Sequence, residues 1–453
     1  MSETLISGSG QQGAIDISAC YNRETGVVDR RIFADETIYR MELAKIFGRA
    51  WNFMCHESQL PHPGSFFMNY IGEDEVIVVR DRAQKINVLI NSCPHRGNTV
   101  CRAELGTTNS FFCSYHGWNF DLDGSLVGMP GEEPFYRNGL QKSAWGLTPA
   151  ARVESYRGFV FATLDAAAPA LVDYLGWVGR LGIDFMASQG DLEFLDGVHK
   201  NRIKCNWKIA VDNLYDWYHV KVSHGTALKL GIVQEEYMSP MSQMVMLGEY
   251  GHGIGGPGLT EADQVDFDAR MAGAAGTARW FDGPASARRD PAIRAQLGPV
   301  GTRSFGHPNI FPNLWVANTQ QLCLRIPRGP YETELWWFNY LPKGCSAADR
   351  RRAVFAQNHM FGPAGFLEQD DGENWSHSTR GAKGTFGRTL PLNFSMGKGQ
   401  DKVSNDPSGQ SRIETVVNEH GQRWTYQSWQ DWMQADSWPD LMARHSMPPQ
   451  GSV

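Results

Sequence analysis

No run of apolar residues in this chain is long enough to span a bilayer. The opening stretch MSETLISGSGQQ is polar and lacks the basic-then-apolar pattern of a targeting segment. These absences lead us to expect a cytoplasmic protein with no membrane partner. Positive charge is also short. Lys and Arg number 42 against 49 Asp and Glu, a net charge of −7, which argues against a nucleic-acid partner. Cysteine is sparse, eight in 453 residues, so a disulfide scaffold is not expected and thiol or metal roles are. A nucleotide fingerprint is missing as well. Gly251, Gly253 and Gly256 satisfy G-x-G-x-x-G by count, but Pro257-Gly258 follow where a helix would have to start. A mobile loop, a lid over a site, is the expectation there. No internal repeat is present. What the chain has in quantity is tryptophan, 15 residues, enough for a large aromatic core or for a cavity that takes flat apolar ligands.

The length suits two or three domains. Residues 1–35 read as loosely ordered and Thr37–Ala50 as a helix. From Trp51 short strands take over: Val76–Arg80, then Lys85–Asn91 with Ile86, Val88 and Ile90 on one face. Asp121–Gly124 reads as a hairpin turn and not a calcium loop, and Ala151–Tyr156 and Gly158–Leu164 read as strands. Leu171–Met186 reads as a helix, Leu192–Trp207 as one or two strands, and Ile310–Ile326 with Glu332–Leu341 as antiparallel strands. A helix is expected from its N-cap Ser346 to Phe361, broken by Gly362-Pro363-Ala364-Gly365. The stretch with Trp424, Trp429, Trp432 and Trp438 reads as helix.

Two short motifs carry chemistry. Cys93-Pro94-His95 and Cys113-Ser114-Tyr115-His116 form Cys-x-His, seventeen residues, Cys-x-x-His. Each motif sits at a strand end and offers one thiolate and one imidazole. Zinc could take two cysteines and two histidines, but Cys-x-His is tighter than zinc-finger spacing. A Rieske [2Fe-2S] centre, with two cysteines on one iron and two histidines on the other, fits the pattern. Gly97 and Gly117 keep the loops tight and Pro94 stiffens one. Cys101 is expected to be a buried free thiol. Cys20, Cys55, Cys205, Cys323 and Cys345 are expected in cores.

The second stretch is Val211–His224, VDNLYDWYHVKVSH. On a helix Asp216 and His219 share a face, so the carboxylate can hold a metal-binding imidazole. His219 and His224, five apart, can meet at one metal only where the helix distorts or ends between them. Further on, FLEQDDGE packs four acids among apolar residues, which suits a carboxylate aimed inward.

Taken together these motifs resemble the large (α) subunit of Rieske non-haem iron ring-hydroxylating oxygenases. The likeness rests on Cys93-Pro-His95, Cys113-Ser-Tyr-His116, Asp212-Asn213-Leu-Tyr-Asp216-Trp-Tyr-His219 with His224, and Phe361 through Asp371. The resemblance implies an α+β architecture: an all-β Rieske domain at 50–165, and a catalytic domain of residues 1–49 and 166–453 with an antiparallel sheet covered by helices, helix-grip-like. It implies that Cys93, His95, Cys113 and His116 hold the cluster, and that His219, His224 and Asp371 hold a mononuclear Fe(II) with positions open for O2. By the same resemblance Asp216 bridges His219 to a cluster histidine, His116, of a neighbouring copy in a ring of subunits, most often a trimer, and Asp370 is structural. Asn213, Leu214, Phe361 and Leu367 would line the substrate pocket, Asn213 with a catalytic role.

The implied activity is cis-dihydrodiol formation on an aromatic ring. Electrons would come from NAD(P)H through a reductase and a ferredoxin, with a small β subunit in an α3β3 assembly, or α3 alone. The chain departs from the naphthalene-type pattern, with two residues, Leu214 and Tyr215, where three separate the Asn from the bridging Asp. Relatives acting on aromatic acids share that spacing, so a monooxygenase of an acid such as salicylate is the alternative. A Rieske electron carrier without catalytic iron is a third reading, and it predicts no second ligand set.

Overall fold

The computed structural model describes residues 15–453 except 138, 231–241, 260–262, 264, 266–287, 289, 318–319 and 446. Among the described residues no helix is long and apolar enough to cross a membrane.

The cluster motifs lie in a region that, beside one short helix at Glu132–Tyr136, is built mainly of small antiparallel sheets. Strands Ser65–Ile71, Asp74–Arg80, Ile86–Ile90 and Leu105–Thr107 form one, and Phe111–Phe112, Asn119–Phe120 and Leu126–Gly128 another. A third joins Asn52–His56, Arg152–Tyr156 and Phe159–Thr163. The run Val76–Val79 is apolar on both faces because each face has a core to fill. Ile77 and Val79 pack beneath the cysteine loops, whereas Val76 and Val78 join the main core of the molecule. The Asp121–Gly124 turn forms as expected, closed by the Gly124 N–H to Asp121 C=O bond of 2.9 Å.

The larger C-terminal region is organised on nine antiparallel strands: β1 (Leu192–Ile203), β2 (Gln243–Leu247), β3 (Gly253–Pro257), β4 (His307–Ile310), β5 (Leu314–Ala317), β6 (Gln321–Pro327), β7 (Thr333–Pro342), β8 (Val403–Asn405) and β9 (Ser411–Thr415). Their order is β1-β7-β6-β5-β4-β3-β2-β9-β8. Period-2 alternation sorts the central residues. Val316, Leu322, Leu324, Trp336 and Phe338 face the core shared with the N-terminal sheets, where Phe67 meets Phe338 at 5.9 Å. Trp315, Ala317, Cys323, Leu335 and Trp337 face the opposite way, into the cluster of residues that holds the candidate site.

Six helices matter here: α1 (Leu171–Ala187), α2 (Trp207–Asp212), α3 (Val220–Ser223), α4 (Ala347–Met360), α5 (Phe366–Lys383) and α6 (His420–Gln434). Ala210 of α2, Val220 of α3, Met360 of α4 and Leu367 and Trp375 of α5 pack into the second cluster, whereas α1 and α6 bury Tyr174, Leu175, Tyr426 and Trp429 in the first core. Ser346 caps α4 as the sequence predicts, accepting from the Asp349 N–H. Asn206 caps α2 by accepting from the Lys208 N–H, so Trp207 opens a helix and does not close the preceding strand. A buried ion pair fixes α2: Lys208 Nζ lies 2.5 Å from Glu42, which also accepts from the Trp207 and Trp429 indoles at 2.8 Å. The Glu42 carboxylate takes three hydrogen bonds, and the Lys208 ammonium sits among the Phe33, Trp207 and Trp429 rings, so each charge is compensated in its burial.

Three further expectations are corrected. Of residues 1–35, those from 15 on are ordered, with Tyr21, Val28, Ile32 and Phe33 buried and Phe33 against Tyr426 at 5.8 Å; residues 1–14 lie outside the described residues. Gly253–Pro257 is no lid but β3, an interior strand between β2 and β4, because its missing side chains leave room for Tyr215 above it. Cys345 is half-exposed beyond the end of β7 and not in a core. The strands Leu392–Asn393, β8 and β9 went unread, being short and polar.

Candidate active site

The two cysteine motifs fold into matching loops. In each, the glycine four residues after the cysteine returns its N–H to the cysteine C=O, Gly97 at 2.8 Å and Gly117 at 2.9 Å. The cysteine N–H in turn bonds the next residue's C=O, Asn98 and Trp118 respectively. Both glycines sit at positive φ, +72 and +74, which a side chain would disfavour. The loops bring the Cys93 and Cys113 thiols into contact with each other. The His95 and His116 rings stand 4.5 Å apart, and Trp118 stacks on His95 at 5.1 Å. Burial raises the Cys93 thiol, while the backbone N–H groups of His95 and Arg96 act to lower it. At Cys113 burial is outweighed by the Tyr115 N–H, the Asn98 amide and Cys93, and the thiol falls below its ordinary value. Buried sulfurs with amides turned on them, and half-exposed imidazoles beside them, fit a [2Fe-2S] cluster with the histidine iron outward.

The second ligand set is built by breaking a helix. After α2 the chain tightens into a 3-10 turn, Asn213–Tyr215, and leaves helical geometry at Asp216 (φ −89, ψ 74). The Asp216 carboxylate then accepts the His219 N–H at 3.1 Å and ties the turn ahead of α3. His219 opens this one-turn helix and His224 closes it. That break turns two residues five apart toward one point: their Nε2 atoms are 3.2 Å from each other. Asp371 on α5 completes the triangle, its Oδ1 3.3 Å from both Nε2 atoms. Donors about 2.1 Å from an octahedral ion stand about 3 Å apart on one face, so the triangle fits the two-histidine, one-carboxylate set of a non-haem iron. His219, His224 and Asp371 are the group among the described residues that could hold a metal ion.

The outer atoms of both rings also face acids. Asp216 Oδ1 is 3.4 Å from His219 Nδ1, and Asp370 Oδ2 is 3.5 Å from His224 Nδ1. Carboxylates behind ligand histidines fix the ring tautomer with Nε2 free for metal. Burial opposes a charge on His219, yet Asp216 and Asp371 hold its pKa up at about 10. Burial also opposes the Asp371 charge, but His219 and His224 bring it down to about 2. The cage is thus anion-rich and suited to a cation.

Of the other residues singled out in the sequence, Leu214, Phe361 and Leu367 are buried together in the cluster of residues around the triad. Asn213 starts the 3-10 turn and its C=O accepts the Asp216 N–H at 3.2 Å. Sequence reasoning missed Glu368. It shares the inward face of α5 with Asp371 and accepts from the Asn201 amide at 2.8 Å, the Trp337 indole and the Gly362 N–H. Burial pushes its carboxyl up to about 7. Its three-residue offset from Asp371 was the available signal.

Residues 189–435 match the profile of the ring hydroxylating alpha subunit (catalytic domain), and residues 50–156 that of the Rieske [2Fe-2S] domain. The chain belongs to the ring-hydroxylating α subunits. It is 36% identical over 447 residues to biphenyl 2,3-dioxygenase subunit alpha of Rhodococcus jostii, covering 94% of this chain and 93% of that one. Benzene 1,2-dioxygenase subunit alpha of Pseudomonas putida is 34% identical, with 94% and 96% covered. Naphthalene 1,2-dioxygenase with indole bound in its active site superposes with a TM-score of 0.83 at 28% identity, over 94% and 96% of the two chains. This α subunit is therefore an oxidoreductase, the terminal oxygenase component of a Rieske non-haem iron ring-hydroxylating dioxygenase. Its cofactors are a Rieske cluster and a mononuclear iron, with O2 as co-substrate, and it works on aromatic rings with electron-transfer partners in an oligomer. The electron-carrier and monooxygenase readings are not favoured.

Proposed function

We propose that this α subunit dihydroxylates an aromatic ring to a cis-dihydrodiol, with residues 50–165 carrying the cluster and residues 1–49 and 166–453 the iron. The observation that supports it is the triangle of His219 Nε2, His224 Nε2 and Asp371 Oδ1, with sides of 3.2–3.3 Å. When bound, the cluster supplies single electrons and the iron lets O2 add to the ring, so that ring, O2, two electrons and two protons become the diol.

The protein's own part is placement. Cys93, His95, Cys113 and His116 hold the cluster, and His219, His224 and Asp371 hold the iron. Asp216, its side chain 22% exposed, keeps the His219 ring oriented; its exposed side would meet a cluster histidine, His116, of a neighbouring copy. Leu214, Phe361 and Leu367 would present an apolar wall that excludes water, with Asn213 as the polar group of the pocket and its catalytic partner. Electrons come from NAD(P)H through a reductase and ferredoxin, which places the work in the cytoplasm, and a small β subunit completes an α3β3 assembly, with α3 the simpler form.

Turnover under ¹⁸O2 with a surrogate reductase and ferredoxin tests this. The expected product is a non-aromatic diol with both oxygens labelled. A phenol with one label would overturn the dioxygenase reading.

A further inference from the structure

The sheet face that looks toward the triad holds one charge for which the mechanism above has no use. Arg325 lies mid-way along β6 and alternates with Leu324 and Ile326, which point into the opposite core. It shares its face with Cys323, and across the strands with Trp315 and Trp337. Its residue exposure is 1%, and among the described residues its Nε and Nη1 have no hydrogen-bond partner. Glu368, the nearby acid, already accepts from Asn201, Trp337 and Gly362. A buried guanidinium keeps its charge, and leaving that charge unpaired is among the costliest arrangements a core can hold.

Its neighbourhood is equally unfinished. Both ends of the Asn309 amide and the Trp315 indole N–H lack a well-formed partner among the described residues, and the Tyr215 hydroxyl has only Asn309 and Thr425 within reach. Asn309 pairs with Trp315 across β4 and β5, so these groups lie on the same side of the sheet as Arg325. The guanidinium is 5.3 Å from the Trp315 ring, Trp315 is 4.8 Å from the His307 ring, and His307 feels the charges of His219 and Asp371. Arg325 is therefore one aromatic layer away from the triad. That layer is flat-walled: Trp337 stacks on Phe361 at 4.9 Å, with Trp315 edge-on at 4.8 Å. A planar donor fork behind stacked aromatics suits a flat ring that carries a planar anion.

We propose that Arg325 is a specificity-determining residue that binds a carboxylate on the aromatic substrate, so that this enzyme prefers aromatic acids to the bare hydrocarbons. The inference rests on the dioxygenase reading of the triad and adds the substrate class to it.

The test uses the holoenzyme with matched probes, benzoate with benzene and naphthoate with naphthalene, and reads calorimetric binding and steady-state turnover. Wild type is expected to bind and oxidise the acid of each pair better. Arg325→Gln is expected to raise the acid's KM and Kd about tenfold or more while leaving those of the hydrocarbon within about twofold and the iron content unchanged. Arg325→Lys, which keeps the charge, is expected to recover part of the loss. A wild-type preference for both hydrocarbons overturns the proposal, even where Arg325→Gln does not fold. Equal loss for acid and hydrocarbon in a folded Arg325→Gln enzyme also overturns it and leaves Arg325 a packing residue stacked on Trp315. An acid that binds in an Arg325-dependent way but is not dihydroxylated keeps the proposal and removes the dioxygenase reading. A hydrocarbon dihydroxylated while neither acid binds does the reverse.

Discussion

The two metal-ligand sets are made in opposite ways. The cluster ligands sit on two loops between residues 93 and 118, each closed by its own backbone bonds and its own glycine. Either loop takes its shape locally. The triad has no local closure: His219 and His224 meet because a helix breaks, and Asp371 arrives from α5, which the sheet and Glu368 hold in place. A site built from closed loops depends on short-range geometry, whereas one assembled from distant elements depends on the whole fold and on the metal that the three donors share.

The sharpest way to break that contrast is His219→Ala. Turnover should fall at least about a thousandfold, and iron should drop from about three to about two atoms per chain, with the visible Rieske spectrum intact. A lost cluster spectrum would mean the two sets are not independent. Asp216→Ala comes next. It should retain both metals and lower turnover about a hundredfold, because the carboxylate behind His219 is gone and its outward reach with it; near-normal turnover would remove Asp216 from the electron path. A smaller effect separates the two loops themselves. A Cβ on Gly117 would stand 2.6 Å from Pro130 Cγ, whereas one on Gly97 meets nothing within 4 Å. Gly97→Ala should therefore cost only the positive-φ strain, about 1 kcal/mol, and Gly117→Ala clearly more, read as cluster loss on mild heating.

The smallest effect on turnover is in the frame common to both sites. His252 is fully buried; its Nδ1 accepts the Phe311 N–H and its Nε2–H donates to the Tyr174 C=O, so the ring is held neutral and burial takes its pKa down to about 3. The unfolded chain takes up a proton near the ordinary histidine value of about 6.5 that the folded chain refuses until about 3. Its contribution is whole above the upper value and is lost as pH falls toward the lower one. Denaturant titrations should show stability decreasing from pH 6.5 downward, and His252→Gln should flatten that slope.

The same contrast governs what the sequence disclosed. Cys93, His95, Cys113 and His116 could be paired by spacing, because loop closure is written in neighbouring residues. The helix break at Asp216 was legible as a requirement, since five residues cannot otherwise share a metal, but the partner Asp371 was legible only by resemblance. Ser346, the Asp121–Gly124 turn and most strands followed from capping and alternation. Glycines 253 to 256 did not, because a strand that lacks side chains imitates a loop until its neighbour is known. Arg325 could have been found: in QLCLRIP a charge falls where alternation puts a core position on both faces.

Tyr215 has a further consequence. Its ring lies across Gly253, Gly255 and Gly421, at each of which an added Cβ would come within 2.8 Å of it. Two positions on one strand and a third far along the chain are thereby one mould, cast around a single side chain in the turn that ends the helix. In relatives or in engineered libraries these four positions should change as a set: a larger residue at 253, 255 or 421 calls for a smaller one at 215, and with it a different entry angle for His219. A search of the pocket that varies 215 alone leaves the mould empty, and one that varies the glycines alone evicts what it was shaped to hold.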